Sequence, residues 1–171
     1  MRKSFTLIEI LVSVAIFSIV IGVALDLFAF SLKAQRENLS NQYLLDQANY
    51  ALEYISRQLR MAKKDENGSC ITSGCTYEAF LDGIAFLNHN KECEQILLED
   101  GQIKIIKGNG PSTPITSNDF EITEFNVWIM EECNGYNTQP RATISFKIKR
   151  RDSLKEPLIF QTTISNRNLD I

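Results

Sequence analysis

The stretch that decides the fold is FTLIEILVSVAIFSIVIGVALDLFAF, residues 5–30. Ile10 to Leu25 is uncharged, and only Glu9 and Asp26 interrupt the wider run. A bilayer-spanning helix needs roughly 20 predominantly apolar residues, and this run supplies them. No later stretch does, so the chain crosses a membrane once at most. Arg2 and Lys3 precede the run, which puts the N-terminus on the cytoplasmic side. A secretory signal peptide would have a longer basic start and a small-residue cleavage site, whereas the bulky DLFAF follows Leu25. A plain signal anchor leaves Glu9 without a reason. A carboxylate in hydrocarbon costs about 2.5 to 3.5 kcal/mol even on lenient scales, so an intramembrane acid asks for a partner.

The residues Lys3-Ser4-Phe5-Thr6-Leu7-Ile8-Glu9, followed by the apolar run, resemble the N-terminal motif of type IV pilins and type II secretion pseudopilins. The resemblance implies a dedicated prepilin peptidase that cuts on the cytoplasmic side, here between Ser4 and Phe5. It also implies N-methylation of the new terminus at Phe5, with Glu9 as the fifth residue after the cut. Ser4 stands where the family most often has glycine; serine is small, and cleavage is still expected. The freed amine of Phe5 is positive near neutral pH. In a fibre core Glu9 needs a charged or hydrogen-bonded partner, and the Phe5 amine of a neighbouring subunit is the natural one, setting axial register. The competing reading has Glu9 snorkel to the headgroups.

Downstream, the apolar run gives way to a periodic pattern. Leu44, Ala48, Leu52, Ile55, Leu59 and Ala62 recur at helical spacing, with Ala51 and Met61 widening the stripe. Asn41, Asp46, Asn49, Glu53, Arg57 and Lys64 occupy the polar face. No proline precedes Pro111, and the stop signal is Lys63-Lys64-Asp65-Glu66-Asn67-Gly68. The pattern predicts one helix from Phe5 to about Lys63, with Gly22 easing close packing of helices.

The remainder reads as strands: 82–87, then 95–99 and 102–106 as a hairpin about Asp100-Gly101. Residues 108–114 read as a loop. Residues 120–129 alternate with a phase slip near Thr123, the mark of a bulge. Ala142, Ile144, Phe146 and Ile148 face in from 141–149, and 158–164 pairs with that strand. The expected fold class is α+β and pilin-like: a long N-terminal helix, half membrane and half amphipathic, packed on one antiparallel sheet. Its parts are a leader (1–4), a membrane or filament-core helix (5–31), an amphipathic half (32–64) and a β-rich extracytoplasmic region (65–171).

The stretches 51–62 and 158–167 resemble the helix end of J-type minor pseudopilins and the terminal strand of PilW-like minor pilins. The resemblance implies a low-copy structural subunit, not an enzyme, that primes assembly or sits at the fibre tip. Its partners are then the prepilin peptidase, other pilin or pseudopilin subunits, the inner-membrane assembly platform and the lipid bilayer. The site implied is the bacterial inner membrane, then the fibre. A membrane-tethered extracytoplasmic binding module is the alternative.

Cys70, Cys75, Cys93 and Cys133 all follow the apolar run, on the exported side. Four cysteines there read as two disulfides, with three pairings possible. Sequence proximity favours Cys70–Cys75 as a loop staple and Cys93–Cys133 as a strand tie. The spacing lacks the paired CxxC of a zinc site or a redox motif, so no metal or other cofactor is expected. His89, between two asparagines, reads as a solvated turn residue. Lys147, Lys149, Arg150 and Arg151 read first as a solvated edge that resists aggregation and second as a weak DNA contact. Asn67-Gly68-Ser69 fits a glycosylation acceptor, a pattern too short to carry weight. Asp82, Glu99, Asp100 and Asp119 lack the spacing of a calcium loop. The net charge of -3 over 171 residues excludes a generally basic nucleic-acid binder.

Overall fold

A computed structural model describes residues 6–133, 139–154 and 156–167. A single helix, α1 (Leu7–Arg60), is followed by eight strands: β1 (Tyr77–Phe80), β2 (Gly83–Leu87), β3 (Cys93–Glu99), β4 (Gln102–Lys107), β5 (Thr113–Pro114), β6 (Phe120–Met130), β7 (Arg141–Arg150) and β8 (Leu158–Ser165). The architecture is α+β. The chain divides into two units at Tyr43, inside α1.

The first unit is helical from Leu7 onward. Every residue from 6 to 33 is exposed, the large apolar side chains included. The two serines of the apolar run donate back to the helix: Ser13 Oγ to the Glu9 carbonyl (2.7 Å) and Ser18 Oγ to the Val14 carbonyl (2.8 Å). Each hydroxyl is thus satisfied without water, as a lipid or protein environment requires.

The second unit is built around the last turns of α1. Leu44, Ala48, Ala51, Ile55, Leu59 and Ala62 are buried. This corrects the expected stripe: Ala51 lies at its centre, Leu52 is only half buried, and Met61 is exposed. A small residue at 51 lets the strands approach the helix axis closely. Met61 turns outward because the helix ends at Arg60 and tightens: Met61 and Ala62 donate to carbonyls three residues back.

The single expected sheet is two. One runs β1-β2-β3-β4-β5, the other β6-β7-β8, all neighbours antiparallel. Ile84, Phe86, Ile96, Ile103 and Ile105 from the first join Phe120, Ile122, Phe125, Ala142, Ile144, Phe146, Ile148 and Ile164 from the second in one core with the helix stripe. β2 is buried along its whole length because its second face is covered by Ile71 and Cys75. That double burial explains its continuous apolar run.

Two turn expectations hold in detail. Asp100 and Gly101 both have positive φ (54° and 72°), the twist that a two-residue hairpin turn needs. The register of β6 against β7 shifts between Ile122 and Glu124, so Thr123 is the extra residue of a bulge. One does not: Thr113–Pro114, within the segment read as a loop, pairs with β4 as a short edge strand.

Candidate functional site

Two regions carry candidate chemistry. At the N-terminus, Ser4 and Phe5 lie outside the described residues. Thr6 caps the helix: its carbonyl accepts from Glu9 N (3.1 Å) and Ile10 N (3.4 Å). Glu9 therefore sits in the first turn, at the third helical position. A carboxylate there lies beside the free backbone N–H groups of the first turn, at the positive end of the helix dipole. The side chain is exposed, as are Ile8 and Ile10 around it. Nothing within the described chain shields this acid from whatever surrounds the helix.

The second region is the C-terminal end of α1. Its last carbonyls are satisfied from distant parts of the chain. Tyr77 Oη donates to Leu59 O (2.6 Å), and Asn166 Nδ2 donates to Ala62 O (2.8 Å) and Leu59 O (3.4 Å). Arg167 N donates to Arg60 O (3.1 Å). Burial pushes the Tyr77 hydroxyl up to about 12, so it stays a donor at every physiological pH. The stop signal read at Lys63 to Gly68 is thus displaced. Arg57 and Arg60 occupy the last turn, and Lys63 N already bonds to Leu87 O in the sheet.

Beyond the helix, Asp65 organises a loop. Its carboxylate accepts from the N–H of Cys70 (2.7 Å), Ile71 (3.2 Å) and Asn67 (3.2 Å), and from Ser69 Oγ. Burial alone would raise its pKa; the donors of Cys70, Ser69 and Ile71 outweigh it and hold the group at about 2. This folded loop overturns the local disulfide pairing. The structure joins Cys70 to Cys93 (Cα–Cα 5.2 Å) and Cys75 to Cys133 (Cα–Cα 4.6 Å). With its backbone gathered around Asp65, the 65–75 segment places Cys70 at the start of β3 and Cys75 just past the end of β6. Each disulfide therefore ties the loop to a different sheet. Asp65, Tyr77 and Asn166 were not among the candidate residues. Asp65, two residues before Asn67-Gly68-Ser69, is the one local signal that could have pointed to such a turn.

The basic patch is largely matched. Lys147 Nζ lies 2.8 Å from Glu124 Oε1, and Lys149 Nζ 3.2 Å from Glu121 Oε2, both across the β6–β7 pair. Arg151 Nε donates to Asn118 O. Glu99 and Asp100 both bind Lys104 Nζ, at 2.9 and 2.7 Å, and that hydrogen bond lowers each carboxyl. Among the described residues, no group of three or more His, Cys, Asp or Glu side chains is placed to hold a metal ion. His89 is exposed in the β2–β3 turn.

Residues 1–25 match the family described as the prokaryotic N-terminal methylation motif. The match supports a type IV pilin-like or pseudopilin-like precursor. The matched motif ends inside the exposed apolar part of α1, and the helix continues beyond it into a folded region that the motif does not cover. No curated protein and no solved structure matches the chain.

Proposed function

We propose that the protein is a minor structural subunit of a type IV pilus or a type II secretion pseudopilus. Prepilin peptidase cuts between Ser4 and Phe5, the Phe5 amine is methylated, and the apolar half of α1 is drawn from the inner membrane into a fibre core. Residues 1–4 are the leader, and the region from 65 onward stands outside the membrane. The observation that carries this reading is the contrast within α1. Residues 6–33 are exposed and almost wholly apolar, headed by one acid in the first turn, whereas the stripe from Leu44 is covered by the chain's own sheets. A helix that is apolar all round belongs in lipid or among other such helices. In either setting Glu9 needs a cation, and the Phe5 amine of a neighbour supplies one.

The chain's own chemistry supports an assembly role. Motion and energy come from the assembly platform. The test is N-terminal and intact mass spectrometry of the membrane fraction, with and without the cognate peptidase. A species that starts at N-methylated Phe5 only when the peptidase is present supports the pathway. An uncut Met1 species in both samples overturns it and favours a tethered extracytoplasmic module. The register role is tested by Glu9→Ala, which is expected to abolish incorporation while the region from 44 onward stays folded. Normal incorporation would sink that role.

A further inference from the structure

Each sheet has two terminal strands, and three of the four are blunted. β1 is capped by Glu131, whose carboxylate accepts from Thr76 N (2.6 Å) and Tyr77 N (3.1 Å). β5 is two residues long and contains Pro114. β6 is tied at Ile122 N to Gly101 O (2.8 Å). Among the described residues, β8 has none of these devices. It is eight residues long, LIFQTTIS, without a charge or a proline, and Leu158 and Ile159 are exposed. Folded proteins rarely leave such an edge uncovered, because its backbone groups pair with any available strand.

The register identifies which groups are open. Asn166 N donates to Pro140 O (2.9 Å), so the pair 140/166 is hydrogen-bonded. Antiparallel pairs alternate, so the even-numbered residues of β8 face β7 and the N–H and C=O of Ile159, Gln161, Thr163 and Ser165 face away from the sheet. The next odd residue, Arg167, uses its N–H on Arg60 O, so this open edge runs into the end of α1. There lies an open cavity of about 420 Å³, lined among the described residues by Arg57, Arg60 and Arg167 against one acid, Glu53, with Ser56 and Met61. Glu53 pairs with Arg57 (2.7 Å), which leaves an excess of guanidinium charge in the cavity.

We propose that β8 is a docking edge for an extended, uncharged strand of a neighbouring subunit, with a carboxylate at the end that enters the Arg57–Arg60–Arg167 cavity. The backbone ladder supplies affinity, and the arginines supply the polarity of docking. The source of the strand rests on the assembly reading above; the edge and the cavity do not.

The test uses the full-length chain in detergent micelles and two synthetic peptides. One has eight alternating Val and Thr residues and a terminal Asp; the other ends in Lys. Binding is read by fluorescence anisotropy and by hydrogen exchange at single amides. The acid-ended peptide is expected to bind saturably and to slow exchange at Ile159, Gln161 and Thr163. The Lys-ended peptide, and Arg60→Glu with the acid-ended one, should each bind at least about tenfold more weakly. Gln161→Pro removes an outward N–H that β7 does not use, so it should abolish binding while Phe160, Thr162 and Ile164 stay protected. If that variant loses their protection, Ile159→Lys replaces it and should also abolish binding. No binding, equal binding of the two peptides, or binding unaffected by these variants overturns the proposal. A concentration-dependent dimer of the chain alone, dissolved by Gln161→Pro, also overturns it and assigns the edge to a second copy. An uncut Met1 species together with acid-selective peptide binding would remove the fibre reading and leave the docking edge standing.

Discussion

Leu11 and Leu59 belong to the same helix, yet Leu11 is 62% exposed and Leu59 is fully buried. The residue type is identical and the secondary structure is identical. What differs is the source of the covering surface. Around Leu59 the apolar residues form one stripe, and two sheets of the same chain close over it. Around Leu11 they surround the helix, and among the described residues nothing in the chain covers them. The first pattern specifies an internal core; the second specifies an environment from outside. One helix therefore serves two folding problems, and the boundary lies near Tyr43.

The sharpest way to break the comparison is a charge at each leucine. Leu59→Asp buries an unpaired carboxylate and is expected to cost on the order of 5 kcal/mol, unfolding the β-rich region in a thermal melt. Leu11→Asp should leave that melt unchanged and instead impair membrane insertion in a fractionation assay. Next come the disulfides, which constrain only the second region. Replacing Cys75 and Cys133 with serine opens a link spanning 58 residues and should cost about 4 kcal/mol in the chain-entropy model; Cys70 and Cys93, spanning 23, about 3 kcal/mol. Urea titration of the two double variants checks both the values and their order.

Asn166→Ala is a smaller perturbation. It strips a donor from the buried Ala62 and Leu59 carbonyls and should cost about 2 kcal/mol, with faster amide exchange confined to the last turns of α1. Asp65 gives an effect of similar or lower size that depends on pH. Its folded pKa, about 2, lies below the unfolded value near 3.8, so its contribution is fully present above about pH 4. It is lost as pH falls through about 2. The expected difference is about 2 kcal/mol, and Asp65→Asn should flatten that part of the stability–pH profile. The smallest effect belongs to the exposed cross-strand pairs: Lys147→Ala is expected to cost under about 1 kcal/mol and less in high salt.

These effects also mark what could be read before the fold was seen. The amphipathic phase of α1, the inward residues of β7, the hairpin at Asp100-Gly101 and the bulge at Thr123 were legible because each depends on neighbours in sequence. The centre of the helix stripe was displaced from Leu52 to Ala51. Hydrophobicity alone favours the larger residue, and only the approach of the sheets selects the smaller one. The division into two sheets had no local signal, since a strand's pattern records that one face is buried and not which strands lie beside it. The local disulfide failed for a related reason. Sequence proximity favoured Cys70–Cys75, but the intervening backbone is wrapped around Asp65 and points the two sulfurs to different sheets.

The N-terminal methylation motif, the single apolar helix and the acid at its head were determined by the sequence alone. They need only a linear order of residues: a short motif, a continuous apolar run and one charge in the first turn. The disulfide partners, the helix cap built from Tyr77, Asn166 and Arg167, and the open edge of β8 were decided by tertiary structure. Each joins groups that are distant along the chain, and their meeting depends on how the strands pack and pair.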